Sequence, residues 1–247
     1  MPSTSQDSSI AACLRDDILR GQYRCGERLP SERDLAQRFG VHRSTVREAL
    51  KRLEQLGVAE IRPGGARVAP IEEASLDVVE HLLALHNPPD PEILDQTLEA
   101  LSGFRAMAAR LGTERADATQ RMQMLSILKD VMEPSIGDED RLNLLAKLFD
   151  GFVEASGNMV LRLMRRGLRT RRDRSAEASL LLSDPPKQAD IEPQLAKLAR
   201  AIEGADGATA SEAVYRLSCL LRQKVREQTS ESVPLPSPRP ALPGARS

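Results

Sequence analysis

No stretch of this 247-residue chain approaches the roughly 18–20 consecutive apolar residues of a membrane-spanning helix, although 40% of its residues are hydrophobic. The opening "MPSTSQDSS" has neither the basic start nor the apolar run of a secretory signal. Both absences lead us to expect a cytoplasmic protein with no membrane partner. Cysteine is sparse: Cys13, Cys25 and Cys219 are far apart, odd in number and without CxxC spacing, which suits a reducing compartment better than a disulfide or zinc framework. Histidine is confined to His42, His81 and His86. With no imidazole beyond residue 86, a Ser/His/Asp or Cys/His set is poorly supplied, and no Gly-rich phosphate loop is present. Glu72-Glu73 reads as a pair of first-turn helix charges. An enzyme is therefore not expected. His81 and His86 lie five apart, a spacing that does not align two ligands on one helix face as i, i+4 does, so no metal or other cofactor is expected either.

The length suits two domains, each with its own core. Net charge is −1 but unevenly divided: residues 1–70 hold 12 Lys/Arg against 9 Asp/Glu, the remainder 23 against 27. The N-terminal part is the better partner for a polyanion. There, Ile10, Leu14 and Ile18 at i+4 spacing predict a helix over 7–20, closed by Gly21. "SERDLAQRFG" predicts a second, with Ser31 as N-cap, Asp34 three residues on, Leu35 and Phe39 on its buried side, and Gly40 as its stop. In "VHRSTVREALKRLEQLG", Val46, Ala49, Leu50 and Leu53 repeat at i, i+3, i+4, i+7, while Arg43, Arg47, Lys51 and Arg52 face away. Two short helices joined through Gly40-Val41 have helix-turn-helix spacing. "VAEIRPGGARVAP" then predicts strands Val58–Arg62 and Ala66–Ala69 joined by Pro63-Gly64-Gly65, the wing of a winged helix-turn-helix. Such a third helix can enter the major groove, where Arg reads guanine O6 and N7 for about 1–3 kcal/mol of discrimination. A merely solvated Arg-rich face is the plain alternative for this helix taken alone; the capped helix before it and the Gly-rich hairpin after it favour DNA.

From "LPSERDLAQRFGVHRSTVREALKRLEQLGVAEIRPGGARV" the chain resembles the GntR family of bacterial transcription regulators. That resemblance places DNA contacts on Arg33, Arg43, Ser44, Thr45 and Arg47, with Gly64 at the wing tip approaching the minor groove. His42 and Gly65 join them as candidates. His42 stands where the family usually has Ser or Thr as N-cap of the recognition helix, and Cys25 where a Pro usually precedes Gly26. Lys51 and Arg52 lie further along, suited to phosphate contact or plain solvation.

Beyond Ile71 no strand pattern appears. Helical periodicity predicts seven helices, 72–86, 91–111, 114–132, 138–156, 158–182, 190–203 and 210–228, with Asp90-Pro91, Gly137-Asp138, Gly157-Asn158 and a Thr209/Glu212 capping box as punctuation. The expected architecture is mainly α: a winged helix-turn-helix over 1–70, an all-helical effector-binding and dimerisation domain over 71–230, and a disordered Pro-rich tail over 231–247. The "ASGN" corner at Ala155–Asn158 and "SLDVVEHLLALHNPPDPEILDQTLEAL" resemble the fatty-acid-responsive (FadR-like) branch of the family. In metal-binding relatives of this domain an Asp and a His precede the corner. Counting back from Asn158 puts Leu145 and Phe149 there.

An apolar effector, long-chain acyl-CoA or a fatty acid, is what this branch implies. Phe104, Phe149 and Phe152, with Met107, Leu148, Met159 and Leu163, are candidate pocket residues, although an ordinary helical core uses the same side chains. "LRLMRRGLRTRRDR" adds Arg162, Arg165, Arg166, Arg169 and Arg172, an Arg border suited to CoA phosphates or simply a solvated face. Tyr215, in the last helix, is a further candidate. The function implied is a homodimeric regulator on a pseudo-palindromic operator, controlled by a small molecule and acting on lipid metabolism, as a repressor. The alternatives are a different metabolite, or a ligand-independent DNA-binding protein that recruits protein partners.

Overall fold

The computed structural model describes residues 3–167 and 187–231. Its chain divides into two compact units, Met1–Ile93 and Leu94–Ser247. In the first, α1 (Ser3–Leu19), α2 (Glu32–Phe39) and α3 (Arg43–Gln55) pack into one core with β1 (Ala59–Arg62) and β2 (Gly65–Val68). Leu14, Leu35, Val46, Ala49 and Leu53 are fully buried. α1 begins four residues earlier than its apolar spacing predicts and ends at Leu19; Gly21, at φ +76°, closes it by donating to the Ile18 carbonyl. Ser31 caps α2 by accepting from the Asp34 amide, and Gly40, left-handed at φ +66°, ends it.

Two carboxylates ride on the apolar face of α1. Asp7 and Asp17 fall in helical register with Ile10, Ala11, Leu14 and Ile18, and both are buried. Asp7 accepts from Arg52 of α3 at 3.0 Å, and Asp17 from Arg38 of α2 at 3.3 Å. α1 thus holds both helices by packing and by charge-assisted hydrogen bonds. Arg52, expected to meet phosphate or solvent, makes this tie with 41% of its side chain still exposed.

The hairpin is antiparallel, with Ala59 opposite Val68 and Arg62 opposite Gly65, so its loop is Pro63-Gly64 alone. A single bridge from Arg28 to Arg67 adds a third short edge. The expected helix over 72–86 does not form as one element. A 3-10 turn at Ile71–Glu73 is followed by extended Ala74, and α4 covers only Val78–Ala84. The reason is tertiary: the Ser75 amide donates to the Leu56 carbonyl, and this segment crosses Gly57 so closely that a β-carbon there would lie 2.9 Å from the Ala74 Cα. Val78 joins the core of the first unit.

The second unit is helical: α5 (Pro91–Arg115), α6 (Ala118–Val131), α7 (Asp138–Ala155), α8 (Met159–Gly167), α9 (Gln188–Glu203) and α10 (Gly207–Glu231). α5 runs four residues past its expected end, and α6 starts four later, because Asp117 and Gln120 form a reciprocal capping box. The last helix likewise starts three residues before its expected bound. Asp206, not Thr209, is the capping side chain, accepting from the Thr209 amide and hydroxyl. The helix expected over 158–182 is described only to Gly167, and the tail over 231–247 lies outside the described residues after Glu231. α5 and α7 meet backbone to backbone at Gly112, where a β-carbon would lie 2.5 Å from the Phe152 carbonyl oxygen. Asp95 of α5 accepts two hydrogen bonds from Arg222 of α10, at 2.6 and 2.7 Å.

Candidate nucleic-acid interface

α3 presents two unlike faces because four apolar residues at helical spacing seat it on α1 and α2. Arg43, Ser44 and Arg47 are exposed on the other side, and Thr45 is half-buried. His42 occupies the N-cap position in extended conformation, exposed, and makes no side-chain cap bond. No acidic residue lies in the first turn. The positive end of α3 is therefore left to an outside anion. Arg33, on the first turn of α2, is exposed beside Asp34 at 3.6 Å. Lys51 is paired with Glu48 at 3.0 Å.

Arg47 is not idle. Its guanidinium donates to both carboxylate oxygens of Glu32 on α2, at 3.0 and 2.7 Å. These bonds hold the Glu32 carboxyl below its usual range. Arg47 keeps a side-chain exposure of 58%, so the pair orients the guanidinium without burying it. Arg43 has no ion-pair partner among the described residues. Sequence spacing indicates which residues face outward but not this partner, since Glu32 and Arg47 stand fifteen apart on different helices.

At the wing, Gly64 and Gly65 take φ of +101° and +124°, a region that side-chain-bearing residues rarely adopt, and Gly64 is exposed at the tip. Arg33 on α2, Arg43, Ser44 and Arg47 on α3, and Gly64 at the wing tip are all exposed. A model of the GntR family of bacterial regulatory proteins matches residues 6–68, and one of the FCD domain matches 96–218. The chain belongs to the GntR family. Regulators of this kind are transcription factors and not enzymes. The chain is 33% identical over 156 residues to the HTH-type transcriptional regulator Mce2R of Mycobacterium tuberculosis, a match covering 61% of this chain and 63% of that one. It is 30% identical over 156 residues to a fatty acid metabolism regulator protein of Erwinia tasmaniensis, covering 62% and 64%. The matches therefore span under two thirds of these relatives' length. A solved structure of the Listeria monocytogenes regulator Lar is similar in fold, with a TM-score of 0.52 at 13% identity, covering 90% of this chain and 96% of that one.

In this GntR chain the aromatic residues expected to line an effector pocket lie in the helical core. Phe104, Phe149 and Phe152 are all buried, the first two edge to face at 5.5 Å between ring centres. Leu148 is buried with them, whereas Met107, Met159 and Leu163 are exposed, so the structure does not gather that set. Arg165 lies 4.9 Å over the Phe149 ring and donates to Asp150 at 2.6 Å. Arg162 is exposed, 3.8 Å from Glu154, and Arg166 is also exposed. Arg169 and Arg172 lie outside the described residues. Tyr215 is 44% exposed on α10. The "ASGN" corner is built as its sequence suggests. Ser156 is fully buried, Gly157 is left-handed, and the Asn158 carboxamide oxygen accepts from the Val160 and Leu161 amides. Arg115 of α5 ties the corner down by donating to the Ser156 carbonyl at 2.7 Å, a contact no sequence signal marks.

The two positions compared above with metal ligands carry no ligating side chain. Phe149 and Leu145 are apolar members of the core, and no group of three or more His, Cys, Asp or Glu among the described residues is arranged to hold an ion. Nor is any helix among the described residues long and apolar enough to cross a membrane.

Proposed function

We propose that the chain is a sequence-specific DNA-binding transcription regulator whose α3 enters the major groove. Arg43 and Arg47 read base edges, while Ser44, Thr45, Arg33 and His42 meet base or backbone around them and Gly64-Gly65 carry the wing to the minor groove. One observation carries this reading: exposed Arg43, Ser44 and Arg47 share the outer face of a helix whose inner face is fully buried. A single such helix makes only a few base contacts, so a homodimer on a pseudo-palindromic operator is the arrangement that supplies enough discrimination.

The FCD unit is proposed to take a small effector, a long-chain acyl-CoA or fatty acid, and the regulated genes to belong to lipid metabolism. Support comes from the similarity to the Erwinia regulator of fatty acid metabolism. The effector need only favour one arrangement of the two units over another, with a coupling of about 1–3 kcal/mol. A second reading, an FCD unit answering a different metabolite or none and serving dimerisation and partner recruitment, draws on the packing of Phe104, Phe149 and Phe152 into one core. Fluorescence anisotropy on duplexes from the protein's own promoter region, with long-chain acyl-CoA titrated at fixed salt, separates the two. Release of DNA by acyl-CoA but not by free CoA supports the first, and tight binding indifferent to either supports the second.

A further inference from the structure

In α8 the more apolar side of the helix faces outward. Leu161 and Arg165, one turn apart, point into the helical unit: Leu161 is buried, and Arg165 lies over the Phe149 ring and donates to Asp150. Met159, Val160, Leu163 and Met164, spaced i, i+1, i+4, i+5, fall together on the opposite side. They are 63, 61, 58 and 41% exposed. Four large apolar side chains in one stripe differ from the single exposed residues that any surface carries, and such a patch marks a contact.

The charges beside the stripe indicate what covers it. Arg166, two turns on from Met159, borders the stripe along one edge near the end of α8 and is exposed. Glu154, in the last turn of α7, lies 3.8 Å from Arg162 on that same edge near the start of α8, and is 67% exposed. One edge therefore carries an acid at one end and a base at the other. A surface that binds its own copy about a two-fold axis has to supply both members of every pair, because each subunit receives what it offers. Two antiparallel α8 helices, packed stripe to stripe about such an axis, bring the same edge of each together, last turn against first. We propose that the outer face of α8 is a dimer contact for a second copy of this chain, with Leu163 near the axis and Arg166 of each copy facing the partner's Glu154. A helix of nine residues is too small for a whole interface, so α8 supplies its apolar centre. Met159, Leu163 and Arg166, candidates above for an effector site, then serve the dimer instead. The inference rests on the homodimer already proposed and names the surface that joins it.

The test is sedimentation equilibrium of the full-length protein, comparing wild type with Leu163→Glu, Arg166→Glu, Glu154→Arg and the double variant Arg166→Glu/Glu154→Arg. All three positions are exposed, so helical content by circular dichroism should not change. Leu163→Glu should raise the dimer dissociation constant about tenfold or more, since it sets a carboxylate in the apolar centre against its own copy. Arg166→Glu and Glu154→Arg should each raise it roughly fivefold by placing like charges face to face. The double variant, in which opposite charges face each other again, should return to within about twofold of wild type. A Leu163→Glu dimer as tight as wild type overturns the inference and leaves the stripe to a different partner. A double variant no tighter than its two parents overturns it as well. Wild type that stays monomeric at every concentration defeats the homodimer reading itself, and the inference with it.

Discussion

Both compact units tie helices together with arginine, and the first also presents arginine on an exposed helix face. In the first, Arg43 has no ion-pair partner among the described residues, and Arg47 is held open by Glu32 on an exposed helix face. In the second, Arg222 is folded onto Asp95 and Glu99, Arg165 onto Asp150 and the Phe149 ring, and Arg162 toward Glu154. The first unit ties α1 to its neighbours through Arg38 and Arg52, yet keeps Arg43 and Arg47 on the exposed face of α3. The second spends many of its cations on tying helices to each other. A surface that must meet a polyanion has to leave charge uncompensated, which costs the isolated fold something and marks the surface.

If that contrast is right, the second unit should be sensitive to packing and pairing, and the first should lose binding without losing its fold. The largest effect is expected for Gly112→Ala. Its β-carbon would press on the Phe152 backbone at 2.5 Å, a clash with main chain that no rotamer relieves. We expect a loss on the order of 3–4 kcal/mol in the helical unit, seen as a lowered transition in calorimetry. Retention of the wild-type melting profile would show that the two helices can separate freely.

A smaller effect attends Asp95→Asn, which leaves Arg222 with Glu99 as its remaining carboxylate. The two side chains are 21% and 17% exposed, so about 1–2 kcal/mol is expected at neutral pH. Arg222 holds the Asp95 carboxyl below its ordinary value of 3.8. Its stabilising contribution is therefore complete above that pH and is lost as pH falls through the lower folded value. The gap in melting temperature between wild type and Asp95→Asn should accordingly close in acid. A constant gap down to strong acid would assign the loss to shape and not charge.

The smallest effect sharpens the other side of the comparison. Glu32→Gln removes the charge that holds Arg47 and also one carboxylate near the phosphates, so binding to random duplex should tighten roughly threefold. Binding to the operator should improve less, because Arg47 is no longer oriented. Equal improvement on both duplexes would make Glu32 a bystander.

The same contrast explains what could be read without coordinates. Val46, Ala49, Leu50 and Leu53 at helical spacing, Ser31 before Asp34, and Gly40 and Gly64 at their turns place α2, α3 and the wing because each signal is local. Asp7 and Asp17 keep the period of the apolar stripe on α1, but as carboxylates they gave no signal of burial, which depends on Arg52 and Arg38 of other helices. The break in the 72–86 helix was not legible either, because a bond from Ser75 to Leu56 and the crossing at Gly57 join distant residues. Nor were the Glu32–Arg47 pair and the Arg28–Arg67 bridge, for the same reason. The helical unit was harder in kind: Phe104, Phe149 and Phe152 would be apolar and regularly spaced whether they line a pocket or fill a core.

As proposed, α3 reads sequence and does not only hold phosphate. The most direct test is anisotropy at one fixed salt of wild type, Arg43→Ala and Arg47→Ala, each on a duplex from the protein's own promoter region and on a random duplex. Each variant should lose about 10- to 100-fold on the promoter duplex and far less on the random one, with melting temperatures unchanged. Equal loss on both duplexes would contradict it and reduce α3 to a phosphate clamp.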